Sequence, residues 1–171
     1  MRLYDDAASG NCYKARLLLA LADKDCKRVP VDILGTNYLP DGALARARAV
    51  QWLHFEQEWI MPGIGSARFY ALTGRHPELL EARRARGRRA LAMLDDHLAA
   101  REWVAADACS IADISLFAYT HVAPDAGIDL AEWPAVQRWI DRIEALPGFM
   151  DDYVPYPNNA RPGRGRSIYD E

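Results

Sequence analysis

The chain lacks the features that mark several common classes of protein. No apolar run in its 171 residues approaches the roughly 20 residues of a membrane span. Lys and Arg number 21 against 24 Asp and Glu, and this net charge of −3 argues against a dedicated nucleic-acid binder. Asp5 and Asp6 stand where a secretion signal would carry positive charge, so we expect no signal peptide. We therefore expect no membrane partner and no nucleic-acid partner.

Patterns that bind metals or form disulfides are also missing. The three cysteines, Cys12, Cys26 and Cys109, are odd in number and far apart, which argues against a CxxC redox pair or a disulfide framework. None of the four histidines, at positions 54, 76, 97 and 121, has the spacing of a metal site. We therefore predict no metal ion and a reducing, cytoplasmic location.

The sequence does contain a short β-α-β pattern followed by a long helical part. Half of the residues are hydrophobic, which is enough for a buried core. Strands are predicted at residues 2–4 and 28–33, on either side of a helix over residues 12–22. Helices are predicted at residues 44–60, 64–70, 77–100, 110–122 and 134–145. The predicted boundaries are an N-terminal part at 1–34, a linker at 35–43, a helical domain at 44–150 and an irregular tail at 151–171.

Four details of the helical part are open to direct comparison with a structure. Met61, Pro62 and Gly63 are expected to stop the first helix. This helix carries Val50, Leu53, Gln57 and Ile60 on one stripe, with Trp52, Phe55 and Trp59 close by. Gly87 lies on the inward seam of the 77–100 helix, which indicates close approach of another helix. Arg84 lies on the same seam, which indicates a pocket or a subunit interface. Arg83, Arg86, Arg88 and Arg89 spread around the helix and are expected to form a solvated, partly paired surface.

A capping box is predicted where the 110–122 helix begins. Ser110 is a good N-cap, and Asp113 stands three residues later, where its side chain can reach back. Ile114, Phe117 and Ala118 are expected to face the centre of the helical domain.

The junction between the first loop and the first helix is the candidate reactive site. Ser9, Gly10, Asn11 and Cys12 stand there, and a helix N-terminus offers unpaired N–H groups and a partial positive charge. A hydroxyl or amide in this setting can donate a hydrogen bond to a thiolate and lower its pKa. The residues alone leave two alternatives open: Ser9 or Asn11 only caps the helix, or Cys12 is itself an activated thiol without an evident base.

Several segments together resemble a bacterial cytosolic glutathione transferase. They are residues 3–4, 9–14, 16–19, 31–33, 46–69, 90–98, 133–136 and 147–148, with the strongest likeness at residues 110–122. The resemblance implies a thioredoxin-like βαβ piece attached to the all-helical C-terminal domain of that family. The expected fold is therefore mostly α with a small β part.

The chain departs from this family at one place. The second predicted strand leads directly into residues 35–40, which resemble the linker after the thioredoxin-like domain. Two helices, two strands and their connections, about 40 to 50 residues at ordinary element lengths, have no counterpart here. The resemblance therefore implies a truncated thioredoxin-like domain, without the cis-proline loop and the acidic-Ser pair that hold glutathione.

The resemblance also implies a function. Ser9 matches the thiol-activating position, with Asn11 as a neighbouring polar candidate, and Gly10 and Cys12 complete the glutathione-binding loop. Phe55 and Trp59 match the wall that contacts a small hydrophobic electrophile. Glutathione is then a weakly held cosubstrate, and an exposed strand edge favours a homodimer. Two alternatives remain: a non-catalytic helical binding or assembly protein, and a glutathione-independent isomerase or lyase that uses the same cleft.

Overall fold

The protein divides into two compact units in a computed structural model. The structure describes residues 2–5, 17–21, 23–30, 38–151 and 156–164. The first unit spans Met1–Leu39 and the second spans Pro40–Glu171.

The first unit contains two short parallel strands. Strand β1 is Arg2–Asp5 and strand β2 is Lys27–Pro30, with Arg2 opposite Lys27 and Tyr4 opposite Val29. Parallel strands need a crossover between them, and residues 17–21 of that connection are helical. Strand β2 was expected at 28–33; it ends at Pro30, and residues 31–37 lie outside the described part of the chain.

The second unit is built from helices. They are α1 (Ala43–Phe55), a π-helix (Glu56–Gly65), α2 (Ser66–Thr73), α3 (Leu80–Leu98), α4 (Ile111–Thr120) and α5 (Pro134–Glu144). Single 3₁₀ turns lie at Pro77–Leu79, Ala123–Ala126, Leu130–Glu132 and Asn158–Ala160. The expected fold class, mostly α with a small β part, is confirmed.

The helical path does not stop at Pro62, so that prediction was wrong. The chain runs from α1 through the π-helix into α2, and the N–H of Ser66 reaches the carbonyls of both Met61 and Gly63. Pro62 removes one backbone donor, and the wider π turn carries the chain past it. Ile60, Gly63 and Ile64 in this segment are buried, so packing holds it in place.

The inward face of α1 is displaced from the predicted stripe. The buried residues of α1 are Ala49 and Trp52, and Glu56 and Ile60 continue this face in the π-helix. Ile60 of the predicted stripe is therefore buried, whereas Val50 is 51% exposed. Burying the indole of Trp52 removes more apolar surface from water than burying Val50 does, so the helix turns its Trp52 face inward.

Glycine allows the π-helix to cross α3 at very short range. A Cβ atom on Gly63 would lie 2.8 Å from the backbone nitrogen of Gly87 and 2.9 Å from its Cα atom. A Cβ atom on Gly87 would lie 3.0 Å from the side chain of Ile128. The close approach predicted at Gly87 is confirmed, and Gly63 is its partner.

The predicted capping box is present at the start of α4. The Ser110 side chain accepts from the N–H of Asp113, and the Ser110 N–H donates to Asp113 Oδ2 at 2.9 Å. The Ser110 hydroxyl also donates to Asp113 Oδ2, at 2.8 Å. Asp113 Oδ1 accepts from the N–H of Val104 and from the indole N–H of Trp139, each at 3.0 Å. This fully buried carboxylate therefore joins α4, α5 and the preceding loop.

The predicted central face of α4 was wrong for two residues. Ile114 is 45% exposed and Ala118 is also exposed, while Phe117 is half-buried. The buried positions of α4 instead include Ala112, Asp113 and Leu116. The capping box sets this orientation, because Asp113 must face inward to reach its partners.

Arg84 connects α3 to a turn within the helical unit. Its Nε donates to the carbonyl of Ala126 at 2.6 Å, and its guanidinium pairs with Glu81. The guanidinium occupies the space beside Gly127, where a Cβ atom would lie 2.8 Å from it. The position of Arg84 on the seam therefore serves a contact inside this unit.

Candidate functional site

The predicted thiol-binding loop lies outside the described residues. Ser9, Gly10, Asn11 and Cys12 all belong to the 6–16 stretch that the structure does not describe. Their roles stay predictions. The other half of the predicted site, formed by Phe55 and Trp59, is described.

Phe55 and Trp59 line one groove on the surface of the second unit. They stand four residues apart, at the end of α1 and in the π-helix, which places them on one face. Their ring centroids are 6.5 Å apart and the planes meet at only 23°. Together with Gln51, Trp52, His54 and Glu58 they line a groove of about 290 Å³. Both rings are half-buried, so each presents a face that an apolar ligand can contact.

Trp52 forms the back of this aromatic groove. Its side chain is only 8% exposed, and its ring meets Phe55 edge-on at a centroid distance of 4.9 Å. On its other side it lies 4.5 Å from the ring of His97. The groove wall is therefore anchored in the core, because a buried indole cannot turn away without leaving a cavity.

An arginine from α3 holds Trp59. The Arg86 guanidinium lies 5.0 Å from the centroid of the Trp59 ring, within cation–π range. Arg86 Nε also donates to the carbonyl of Glu58 at 3.1 Å. The sequence predicted a solvated arginine surface here. This contact spans 27 positions of the chain, so no local spacing could have indicated it.

A second cavity adjoins the aromatic groove. It has a volume of about 400 Å³ and is lined by Arg48, Gln51, Trp52, His97 and residues 100–107. It shares Gln51 and Trp52 with the groove. No local sequence pattern indicates this cavity, because its charged residues come from α1 and from a loop about 50 positions later.

His97 is a neutral, hydrogen-bonded member of this cavity. Its Nε2 lies 2.9 Å from the carbonyl of Val104 and therefore carries the proton, because a carbonyl only accepts. Burial lowers the pKa of His97 below its ordinary value, and the nearby Arg101 and Arg48 act in the same direction. The imidazole thus contributes no charge to the cavity near neutral pH.

A third cavity, of about 560 Å³, is also lined by Trp59. Its lining combines Trp59 and Leu79 with three arginines of α3, Arg83, Arg86 and Arg89. The carbonyl of Pro62 lies 3.5 Å from an Arg83 nitrogen. These arginines were expected to be solvated, and Arg89 is exposed.

Other chemistry receives no support from the described residues. Over these parts of the chain, no group of three His, Cys, Asp or Glu side chains could hold a metal ion. Burial raises the pKa of the Cys109 thiol to about 11, which keeps it from acting as a nucleophile. No helix in the described ranges has the length and apolar character that crossing a membrane requires.

Comparison with known proteins identifies the family. Residues 55–147 match the glutathione S-transferase C-terminal domain family, which is more than half of the chain. The chain belongs to the glutathione S-transferase family. The match begins at Phe55 and includes Glu58 and Trp59, so half of the six residues that line the aromatic groove lie within the family domain.

Three relatives illustrate the glutathione S-transferase likeness. A glutathione S-transferase from Xanthobacter autotrophicus Py2 has 34% sequence identity and a TM-score of 0.66, over 87% of this chain and 95% of that one. The glutathione S-transferase-like protein tpcF of Aspergillus fumigatus is 26% identical, over 73% of this chain and 67% of that protein. A Burkholderia graminis glutathione transferase, solved with two glutathione molecules bound per subunit, is 28% identical with a TM-score of 0.58. That likeness covers 65% of this chain and 50% of the Burkholderia chain.

Proposed function

We propose that this protein transfers glutathione to a small hydrophobic electrophile. The observation that carries the proposal is the aromatic groove formed by Phe55 and Trp59 on the helical unit of a glutathione S-transferase family member. The groove is partly open, is backed by the buried Trp52 and is large enough for part of a small ligand.

The thiol chemistry is assigned to the first loop. The Ser9 hydroxyl donates a hydrogen bond to the glutathione sulfur, with Asn11 as a second polar donor and the backbone of Gly10 and Cys12 completing the loop. This hydrogen bond and the helix N-terminus stabilise the thiolate, so the thiol proton leaves to water near neutral pH. The sulfur then forms a bond to the electrophilic carbon, and the leaving group departs with its electron pair.

The groove supplies orientation rather than acid–base chemistry. An apolar electrophile packs against the faces of Phe55 and Trp59, and the cation–π contact of Arg86 keeps the Trp59 ring in place. An electrophile that is already bound and oriented has less freedom to lose on the way to the transition state than a free one.

Glutathione is expected to bind weakly as a cosubstrate. The parts of the family fold that hold its peptide backbone and its γ-glutamyl end have no counterpart between Ile33 and Leu44. At about 1 to 3 kcal/mol for each lost hydrogen bond to a charged or buried group, affinity falls at least about a hundredfold. Calorimetry should give a dissociation constant well above the low micromolar range, and low-micromolar binding would contradict this expectation.

The direct test is conjugation of glutathione to 1-chloro-2,4-dinitrobenzene, followed by absorbance across pH. We expect Ser9→Ala to lower the rate near neutrality and to raise the apparent thiol pKa in the pH–rate profile. Cys12→Ser is the matched control and should leave that profile unchanged. The reverse pattern would move the role to Cys12.

The groove is tested in the same assay. Trp59→Ala should raise KM for the electrophile, whereas Phe149→Ala, a partly exposed aromatic outside this groove, should not. No turnover together with no glutathione binding would refute the proposal and favour a non-catalytic binding or assembly role.

We further propose a cytoplasmic homodimer. In the first unit, Leu17, Leu18 and Leu21 are 41%, 68% and 78% exposed, which leaves apolar surface for a partner to cover. Cys26 and Cys109 carry free thiols, and a reducing compartment would keep them in that form. Light scattering should show a dimer at micromolar concentration, and Leu18→Glu with Leu21→Glu should weaken it. A monomer at high micromolar concentration would count against the dimer.

A further inference from the structure

One face of α1 carries a cationic group, a polar group and an aromatic groove in sequence. Arg48, Gln51, Trp52, Phe55 and Trp59 follow one another at steps of three, one, three and four, which keeps them on one face of a helix. The cavity at Arg48 and the groove at Phe55 share Gln51 and Trp52. They therefore form one continuous concave surface with a charged end and an apolar end.

The charged end of this surface contains two guanidinium groups without carboxylate partners. Within the described residues, Arg48 makes no hydrogen bond or ion pair. Among the described residues, the Arg101 guanidinium donates only to the carbonyl of His97, at 3.2 Å, and this bond holds it at the end of α3. Glu102 and Asp107 also line the cavity, and over the described part of the chain neither forms a salt bridge to these arginines. Both arginines remain able to bind an anion from solution.

We propose that the electrophilic substrate is an amphipathic carboxylate, with its apolar part on Phe55 and Trp59 and its carboxylate at Arg48 and Arg101. A carboxylate matches the planar, forked donors of arginine. This inference rests on the proposed function, because it names the substrate class of the same groove.

The helix sets the length of such a substrate. Arg48 and Phe55 are seven residues apart within α1, and a rise of 1.5 Å per residue separates them by roughly 10 Å along the axis. The carboxylate and the centre of the apolar part should therefore be about 10 Å apart. An aromatic ring on a five-carbon spacer before the carboxylate meets this requirement, whereas benzoate is too short to occupy both ends.

Binding can be tested without glutathione, with 6-phenylhexanoate and its neutral amide, 6-phenylhexanamide, as probes. The two differ in charge at one end only. We expect the acid to bind at least about tenfold more tightly than the amide, because each hydrogen bond to a charged group contributes substantially. The advantage of the acid should shrink as salt is added, because exposed charges are screened. Benzoate and inorganic phosphate should each bind much more weakly than 6-phenylhexanoate.

Charge-removing variants locate the carboxylate. Arg48→Gln and Arg101→Gln should each remove most of the preference for the acid and leave binding of the amide unchanged. Arg138→Gln is the matched control, because Arg138 is an exposed arginine of α5 outside this cavity. Trp59→Ala should weaken the acid and the amide equally.

Three outcomes would overturn the inference. In the first, the acid and the amide bind with equal affinity. In the second, Arg48→Gln keeps the preference for the acid, as Arg138→Gln is expected to do. In the third, phenylhexylamine binds more tightly than the amide, which would assign the charged end to Glu102 and Asp107. The proposed function is tested separately by conjugation to 1-chloro-2,4-dinitrobenzene, which has no carboxylate. If the protein prefers the acid but does not conjugate glutathione, the carboxylate site stands and the glutathione chemistry is refuted. If it conjugates glutathione but does not prefer the acid, the glutathione chemistry stands and the carboxylate site is refuted.

Discussion

Replacing Asp113 by Ala should destabilise the helical unit strongly. The fully buried carboxylate accepts hydrogen bonds from the Ser110 and Val104 backbones, the Trp139 indole and the Ser110 hydroxyl. Alanine leaves all four donors without this acceptor. The hydroxyl can rotate towards another group, whereas the two backbone N–H groups and the indole cannot.

The number of buried donors sets the expected loss in the free energy of unfolding. Each buried donor left without a partner costs about 1 to 3 kcal/mol, so three of them cost about 3 to 9 kcal/mol. Water that enters the vacated space lowers the sum, and we expect at least about 3 kcal/mol. Domains of this kind are stable by only about 5 to 15 kcal/mol, so Asp113→Ala should remove a large fraction of the stability.

Asp129→Ala is the matched control, measured by urea denaturation beside Asp113→Ala. Asp129 is exposed and accepts a single hydrogen bond from the N–H of Ala131, at 3.0 Å. Its loss should cost only about 0.5 to 1 kcal/mol. If Asp113→Ala is insoluble, Asp113→Asn is measured instead. The amide NH₂ of asparagine cannot accept a hydrogen bond, so it leaves at least one donor without a partner. Equal losses in the Asp113 and Asp129 variants would refute the reasoning.

Three further predictions concern the described core. Gly63→Ala should cost about 1 to 3 kcal/mol in urea denaturation, because its Cβ would lie 2.8 Å from the Gly87 nitrogen, whereas Gly74→Ala meets no atom within 4 Å and is destabilised only by its positive φ. Burial raises the pKa of Glu56, so the folded state binds its proton more tightly than the unfolded chain. Stability from this group is present below the unfolded pKa and is lost as pH rises through the folded pKa. Glu56→Gln should therefore remove a fall in stability that sets in above the ordinary value of 4.5. Cys109, with a pKa of about 11, should react with a thiol reagent at pH 8 only after denaturant is added, and rapid reaction of the folded protein would contradict its burial.

Local patterns in the sequence predicted part of this fold well. The capping box of Ser110 and Asp113 depends on a spacing of three residues and on two side-chain types, so the sequence contains all of its determinants. The close approach at Gly87 could likewise be predicted, because glycine destabilises a helix interior and is favoured on an apolar seam where another backbone comes near. Membership of the glutathione S-transferase family followed from several such local signals taken together.

Features that depend on distant packing were not predicted. Pro62 was expected to end a helix, but burial of Ile60 and Ile64 against the rest of the unit carries the chain through as a π-helix. The orientation of α4 depends on Trp139, 26 positions after Asp113, and for that reason Ile114 was wrongly placed in the core.

The candidate site likewise has one part that could be expected from the sequence and one part that could not. The groove residues Phe55 and Trp59 were expected from the resemblance to the family, and their spacing of four residues places them on one face. The cavity at its charged end could not be predicted, because Arg48 and Arg101 are 53 positions apart and their two segments meet where Trp52 packs against His97.

The hydrogen bond between Trp139 and Asp113 makes the fluorescence of Trp139 sensitive to the state of the capping box. Among the five tryptophans, Trp139 alone is completely buried, and its indole N–H points at a carboxylate rather than at water. With the other tryptophans replaced by phenylalanine, the fluorescence emission would come from Trp139 alone and would depend on the environment of its indole ring beside Asp113. A red shift of that emission before the far-ultraviolet circular dichroism signal is lost would reveal a state in which the helices persist while the junction between them has opened.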